Sequence, residues 1–168
     1  LIGAIIMTHG DDEGLILPPA IAPYQVVIVP VAAHKPGVLE KAEELRERLS
    51  KFVRVKLDDS ENSPGWKFAQ WEMKGVPLRL EIGPKDIENG QCVLVRRDNR
   101  EKAFTKLEDL EAAVPALLDA LGKSLYARAE ANRAGRTWTA TTMDEVLERA
   151  GGENGYIKTM WCGNLACE

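Results

Sequence analysis

Tyr24-Gln25-Val26-Val27-Ile28-Val29-Pro30-Val31 is an almost unbroken β-branched run. A strand that alternates apolar and polar residues has one wet face; a continuous run like this one is covered on both and belongs at the centre of a parallel sheet. Downstream, Pro36-Gly37 opens a helix to about Ser50, with Val38, Leu39, Ala42, Leu45 and Leu49 assigned to its apolar face. Val53–Leu57 alternates as a second strand. Ser63 suits an N-cap, Pro64 the first helical position and Gly75 a stop, which predicts a helix to about Lys74. Pro77–Ile82 and Cys92–Val95 read as a third and a fourth strand, and Gly83-Pro84-Lys85-Asp86 as the turn between them. Thr105 and Glu108 carry the spacing of a capping box ahead of a long helix. Strands joined by crossover helices pair in parallel with right-handed connections. The fold class is α/β: three layers, with a mixed, mainly parallel sheet flanked by helices.

Further out, Pro18-Pro19 and Pro23 mark an extended linker. Before it, Leu1–Thr8 reads as a β-like run broken by His9-Gly10-Asp11-Asp12. After Arg128 the residues become small and polar. Thr142 and Glu145 form a second capping box, with a short helix to about Ala150, and Tyr156–Trp161 reads as a short strand. The expected organisation is a remnant and linker over 1–20, a central domain over 21–128 and a small α+β extension over 129–168. Both ends look cut from a longer protein.

Composition narrows the classes. The 168 residues are 45% hydrophobic, normal for a folded domain. The apolar runs fall well short of the ~20 residues of a membrane-spanning helix, so no membrane partner is expected. Three cysteines do not make a disulfide framework, and the expected setting is reducing and cytoplasmic. A net charge of −4 argues against nucleic-acid binding by bulk charge, and no DNA partner is expected. The charge is uneven, however: between Pro64 and Lys106 nine Lys/Arg stand against six Asp/Glu, a local +3. Trp66 and Trp71 lie in that stretch and diverge by about 140° on a helix, so one of them is free to stack on a base while the alternative places both in the core. No phosphate-binding glycine pattern accompanies Gly10 and Gly14, and His9 and His34 read as loop residues without a nucleophile beside them. Cys162 and Cys167 are spaced like half of a metal knuckle, and two thiolates fill half of a zinc tetrahedron.

The same residues carry a resemblance. Gly65-Trp66-Lys67-Phe68 and Trp71-Glu72-Met73-Lys74-Gly75-Val76-Pro77-Leu78-Arg79-Leu80-Glu81-Ile82-Gly83-Pro84-Lys85-Asp86 resemble the anticodon-binding domain shared by several class II aminoacyl-tRNA synthetases. Met7-Thr8-His9-Gly10-Asp11-Asp12 with Gly14-Leu15-Ile16-Leu17-Pro18-Pro19 resembles the end of the catalytic domain of the archaeal and eukaryotic type of prolyl-tRNA synthetases. Ala22–Pro30 matches that family's entry into the anticodon domain, and Lys158-Thr159-Met160-Trp161-Cys162 with Cys167 matches the start of its zinc-binding extension.

The resemblance implies recognition without catalysis in this chain. Motifs 1 and 2 of the catalytic domain and the motif 3 arginine, which contacts ATP, are not in the sequence, and Leu1–Thr8 would be one strand of that domain's sheet. For the longer enzyme it implies ATP, leaves Mg open, and implies a homodimer formed through the catalytic domain. It gives Cys162 and Cys167 as one pair of a two-pair zinc site. The partner is the proline tRNA anticodon, which carries guanines at its second and third positions. Carboxylates suit guanine's N1–H and N2–H₂ donors, and Arg or Lys its O6 and N7 acceptors. Lys67, Glu72, Arg79, Glu81 and Lys85, with Trp66 or Trp71 as a stacking surface, are the expected anticodon contacts; Arg79 and Glu81 share a strand face. The alternative is an Arg–Glu pair that holds the sheet edge together. Arg96, Arg97, Arg100 and Lys102 are the expected phosphate contacts, or else an ordinary solvated turn. Two other classes remain open: a stand-alone, non-catalytic binding module on the same fold, and an unrelated small α/β enzyme.

Overall fold

The computed structural model describes residues 1–152, 154–161 and 163. It divides into two compact units, residues 1–125 and 126–168.

The first unit is built on β1 (Val26–Pro30), in which every residue is buried. Its neighbours are β2 (Val55–Leu57) and β3 (Leu78–Ile82), both parallel to it; β4 (Gln91–Arg96) and β5 (Lys102–Lys106) then follow antiparallel, giving the order β2-β1-β3-β4-β5. α2 (Val38–Leu49) connects β1 to β2, and α3 (Pro64–Met73) connects β2 to β3.

One face of the sheet is the main core. Val26, Ile28, Leu57, Leu78, Leu80, Ile82, Cys92 and Leu94 pack there against Ala42, Leu45 and Leu49 of α2 and Leu110, Val114 and Leu118 of α5 (Leu110–Gly135). Leu39, expected on the apolar face of α2, is 40% exposed. On the opposite face α3 covers β1: Trp71 and Phe68 pack with Val27, Val29 and Val76. Ser63 Oγ accepts from Trp66 N at 3.4 Å, so α3 starts where the cap and proline place it.

Three expectations are corrected. Leu1–Thr8 is not a strand; Ile2–His9 forms α1. A lone strand leaves its N–H and C=O groups unpaired, and no described strand lies beside this segment. A helix closes those bonds internally, as in Gly10 N to Ile6 O at 2.8 Å. Thr105 does not cap a helix: it lies inside β5, and a 3₁₀ turn at Leu107–Asp109 leads into α5. The Gly83–Asp86 turn continues as the short helix α4 (Pro84–Glu88).

Residues 11–17 lie against the α3–β3 corner. Leu15 N donates to Met73 O and Leu17 N to Gly75 O, each at 3.1 Å. The approach is so close that a Cβ on Gly75, which sits at φ +73°, would lie 2.6 Å from Leu15 Cβ; one on Gly14, at φ +135°, would lie 2.5 Å from Met73 Cα. Only glycine meets both demands at these two positions.

The second unit contains the end of α5, which runs past the expected boundary near Arg128 to Gly135. It adds β6 (Thr137–Thr139), α6 (Met143–Ala150) and β7 (Tyr156–Lys158), with β6 and β7 paired in parallel. The Thr142–Glu145 capping box is present: Glu145 N donates to Thr142 Oγ1 at 3.3 Å and Thr142 N to Glu145 Oε2 at 3.2 Å. No helix among the described residues is long and apolar enough to cross a membrane.

Candidate nucleic-acid interface

The sheet face that carries α3 is only partly roofed. Cross-strand register places Val27, Arg79, Val95 and Lys102 in one row, and Val29, Glu81, Val93 and Phe104 in the next. Residues opposite one another in a sheet share a face. α3 covers the β1 end of these rows, and the β5 end carries Phe104, 71% exposed.

Arg79 is the hub. Its Nη1 donates to Glu72 Oε1 at 2.5 Å and its Nε to Glu81 Oε1 at 2.9 Å. Its guanidinium carbon lies 4.0 Å from the Phe68 ring centroid. The Arg–Glu pair weighed from the sequence is therefore real, and it extends to a second carboxylate. A guanidinium held on both sides and stacked on a ring keeps one orientation. It engages Oε1 of each carboxylate, and Oε2 remains an acceptor for an incoming donor. Glu72, with 27% of its side chain exposed, is the more accessible of the two carboxylates; Glu81 is at 13% and Arg79 at 11%. Lys85, one residue into α4 beyond the end of β3, is exposed. Trp66 is 49% exposed on the first turn of α3.

Three expected contacts are placed elsewhere. Lys67 is buried: its Nζ donates to Asp58 O at 2.9 Å and lies 3.7 Å from Asp58 Oδ1. Trp71 is buried as well, and its Nε1 donates to Asp58 Oδ2 at 2.6 Å. Burial pushes the Asp58 carboxyl up, but the bonds from Ser60 and Trp71 and the Lys67 ammonium outweigh it and hold the pKa below the carboxylate range. Of the two tryptophans, Trp66 is thus the one left with an open face. Arg97, 4% exposed, makes a two-pronged pair with Asp11 at 2.8 and 2.6 Å and donates to Glu72 O at 3.0 Å. The Arg97 bond is the main reason the Asp11 pKa falls to about 2, and the Asp11 bond in turn raises that of Arg97. Lys67, Trp71 and Arg97 are thus buried struts, each held by bonds inside the fold.

The remaining basic residues differ in freedom. Arg96 is tied to Asp98 at 3.0 and 2.7 Å. Arg100, 53% exposed, pairs with Glu13 at 2.5 Å, and Lys102 and Lys106 are exposed on β5. An exposed ion pair exchanges readily with a phosphate, because it is worth little in water. Cys162 and Cys167 lie outside the described residues. Among the described residues no cluster of three or more His, Cys, Asp or Glu is placed to hold a metal.

This sheet, its roofing helix and the carboxylate–guanidinium hub fall within residues 25–117, which match the family model described as an anticodon-binding domain. The chain belongs to that family. Over all 168 residues it is 61% identical to the proline–tRNA ligase of Clostridium novyi (strain NT), and 60% identical to that of Clostridium botulinum (strain Langeland / NCTC 10281 / Type F). It is 58% identical to the proline–tRNA ligase of Ruminiclostridium cellulolyticum over the same length. Each match covers 100% of this chain and 35% of the relative, so the chain spans about a third of the length of these relatives.

Within this anticodon-binding domain, reading the sequence missed Phe104. The signal was present in Lys102-Ala103-Phe104-Thr105-Lys106, whose alternation describes an edge strand with lysines on its open face. The apparent capping box at Thr105 and Glu108 masked it.

Proposed function

We propose that this chain reads the anticodon loop of proline tRNA as the C-terminal part of a proline–tRNA ligase, and that ligation itself belongs to the preceding part of that enzyme. The observation that carries the reading is the Glu72–Arg79–Glu81 hub on a half-open sheet face. Guanine presents N1–H and N2–H₂ donors on its Watson–Crick edge, and a fixed, partly exposed carboxylate accepts both. Arg79 holds the carboxylates in place through its planar, multi-donor guanidinium fork. Lys85 supplies a donor for O6 or N7, Trp66 a stacking face, and Arg100 and Lys102 phosphate contacts.

In this reading residues 1–20 close the catalytic domain, 21–128 read the anticodon and 129–168 begin a C-terminal extension. ATP is the enzyme's co-substrate, and no residue of this chain is assigned to hold it. The enzyme acts in the cytoplasm as a homodimer formed through its catalytic domain. The cysteine pair Cys162 and Cys167 supplies half of a tetrahedral zinc site, and no step of recognition is routed through a metal.

The test is titration of a labelled proline tRNA anticodon stem-loop with the wild-type chain and Arg79→Ala. The hub reading predicts a loss of ~1–3 kcal/mol in binding for the variant. An unchanged Kd in a folded Arg79→Ala protein removes the hub from the interface.

A further inference from the structure

We infer that Phe104 is the stacking platform for a second, unpaired nucleotide of the same RNA, beside the base read at the Glu72–Arg79–Glu81 hub; the inference rests on the function proposed above.

Phe104 is the large apolar side chain on the open part of the sheet, at 71% exposure, while its neighbours Val93 and Val95 in the same rows are 8% and 5% exposed. An aromatic ring on the outward face of an edge strand gains little for folding. Its ring face is available to any nucleobase, because every base has a π-face. Lys102 and Lys106 stand two residues to either side of it and therefore on the same face. Both are exposed, and Lys106 makes a 3.5 Å surface pair with Glu108. An aromatic ring between two cations is the charge pattern that suits a base flanked by its two phosphates, and it disfavours a purely apolar partner.

Register fixes the backbone distance to the Glu81 end of the hub. Phe104 is opposite Val93, and Val93 is opposite Glu81. Two strand spacings separate them, about 10 Å across one continuous face. Neighbouring nucleotides of a splayed single strand span that interval, so one base at the hub directs the next toward β5. The role is sequence-tolerant: the hub selects guanine, and the platform adds affinity for whichever base follows.

The experiment uses the 168-residue chain and the proline tRNA anticodon stem-loop, with single abasic substitutions walked through the loop. Phe104→Ala is expected to weaken binding roughly 5- to 100-fold, and Phe104→Trp to restore it. The Phe104→Ala loss is expected to vanish against one abasic position only, a position other than those where abasic substitution cancels the Arg79→Ala effect. Equal Kd for wild type, Phe104→Ala and Phe104→Leu overturns the platform and leaves the hub standing. An additive loss at every abasic position also overturns it. A concentration-dependent change in sedimentation caused by Phe104→Ala alone assigns the ring to self-association instead. A wild-type chain that does not bind the stem-loop overturns the platform together with the function on which it rests.

Discussion

Lys67 separates a surface reading of this domain from a structural one. By charge and position it looks like an RNA contact, yet its side chain is 2% exposed and its ammonium is bonded to Asp58 O at 2.9 Å. Truncation in Lys67→Ala removes a charged hydrogen bond worth ~1.5–3 kcal/mol and leaves a buried carbonyl without its donor. It also strips methylenes from the packing, at about 0.8 kcal/mol each. Relief of the buried ammonium's desolvation offsets part of this, and Asp58 keeps its bonds from Ser60 Oγ at 2.6 Å and Trp71 Nε1 at 2.6 Å. The net expectation is a loss of roughly 2–4 kcal/mol, or a fall in Tm of about 4–16 °C for a chain of this size. Lys67→Met, which keeps the apolar stem and drops the charge, should lose less. Urea unfolding followed by circular dichroism measures the stability. Stem-loop titration below the transition measures binding, which should stay within about twofold of wild type. A Lys67→Ala protein as stable as wild type that binds RNA tenfold more weakly would refute the assignment of Lys67 as a strut.

The other predictions concern the segment that docks on the α3–β3 corner. The Arg97 bond holds the Asp11 pKa at about 2, below the ordinary 3.8 of an aspartate, so the pair contributes stability above about pH 4 that disappears as pH falls toward 2. Because a third of the Asp11 side chain is exposed, the contribution is about 1 kcal/mol after solvent screening; Asp11→Asn should lose that amount at pH 7 and match wild type near pH 2 in parallel urea titrations. Gly75→Ala should cost roughly 2–5 kcal/mol, from a left-handed backbone and a Cβ 2.6 Å from Leu15, whereas Gly65→Ala, with nothing within 4 Å, should be neutral or stabilising by up to about 1 kcal/mol in the same assay.

What could be read from the sequence follows the range of the interactions involved. β1 was legible because burial on both faces is written into consecutive residues. The start of α3 was legible because Ser63 and Pro64 act within one turn. The Arg79–Glu81 pairing was legible because alternate residues of a strand share a face. The burial of Lys67 was not, nor was the choice of Trp71 over Trp66 as the buried ring, since both depend on Asp58 at the end of another strand. Nor was the burial of Arg97, whose partner Asp11 lies 86 residues away. α1 was misread because Ile-rich composition signals strand while its backbone has no neighbour to pair with among the described strands. Phe104 was hidden by a local pattern that mimics a helix start, and only the register of β4 with β5 shows which way it faces. Most of the fold was thus carried by local signals. The division of the candidate residues into struts and contacts was not, because it is set by long-range pairs.

In the proposed function, the Glu72–Arg79–Glu81 hub reads guanine through its N1–H and N2–H₂ donors. The most direct measurement is the Kd of the chain for proline tRNA anticodon stem-loops in which the second or the third anticodon guanine is replaced by inosine, which lacks the 2-amino group. Binding should weaken by ~1–3 kcal/mol at one of the two positions, and Glu72→Gln should erase the difference between guanine and inosine there. Equal affinity for guanine and inosine at both positions would contradict the claim.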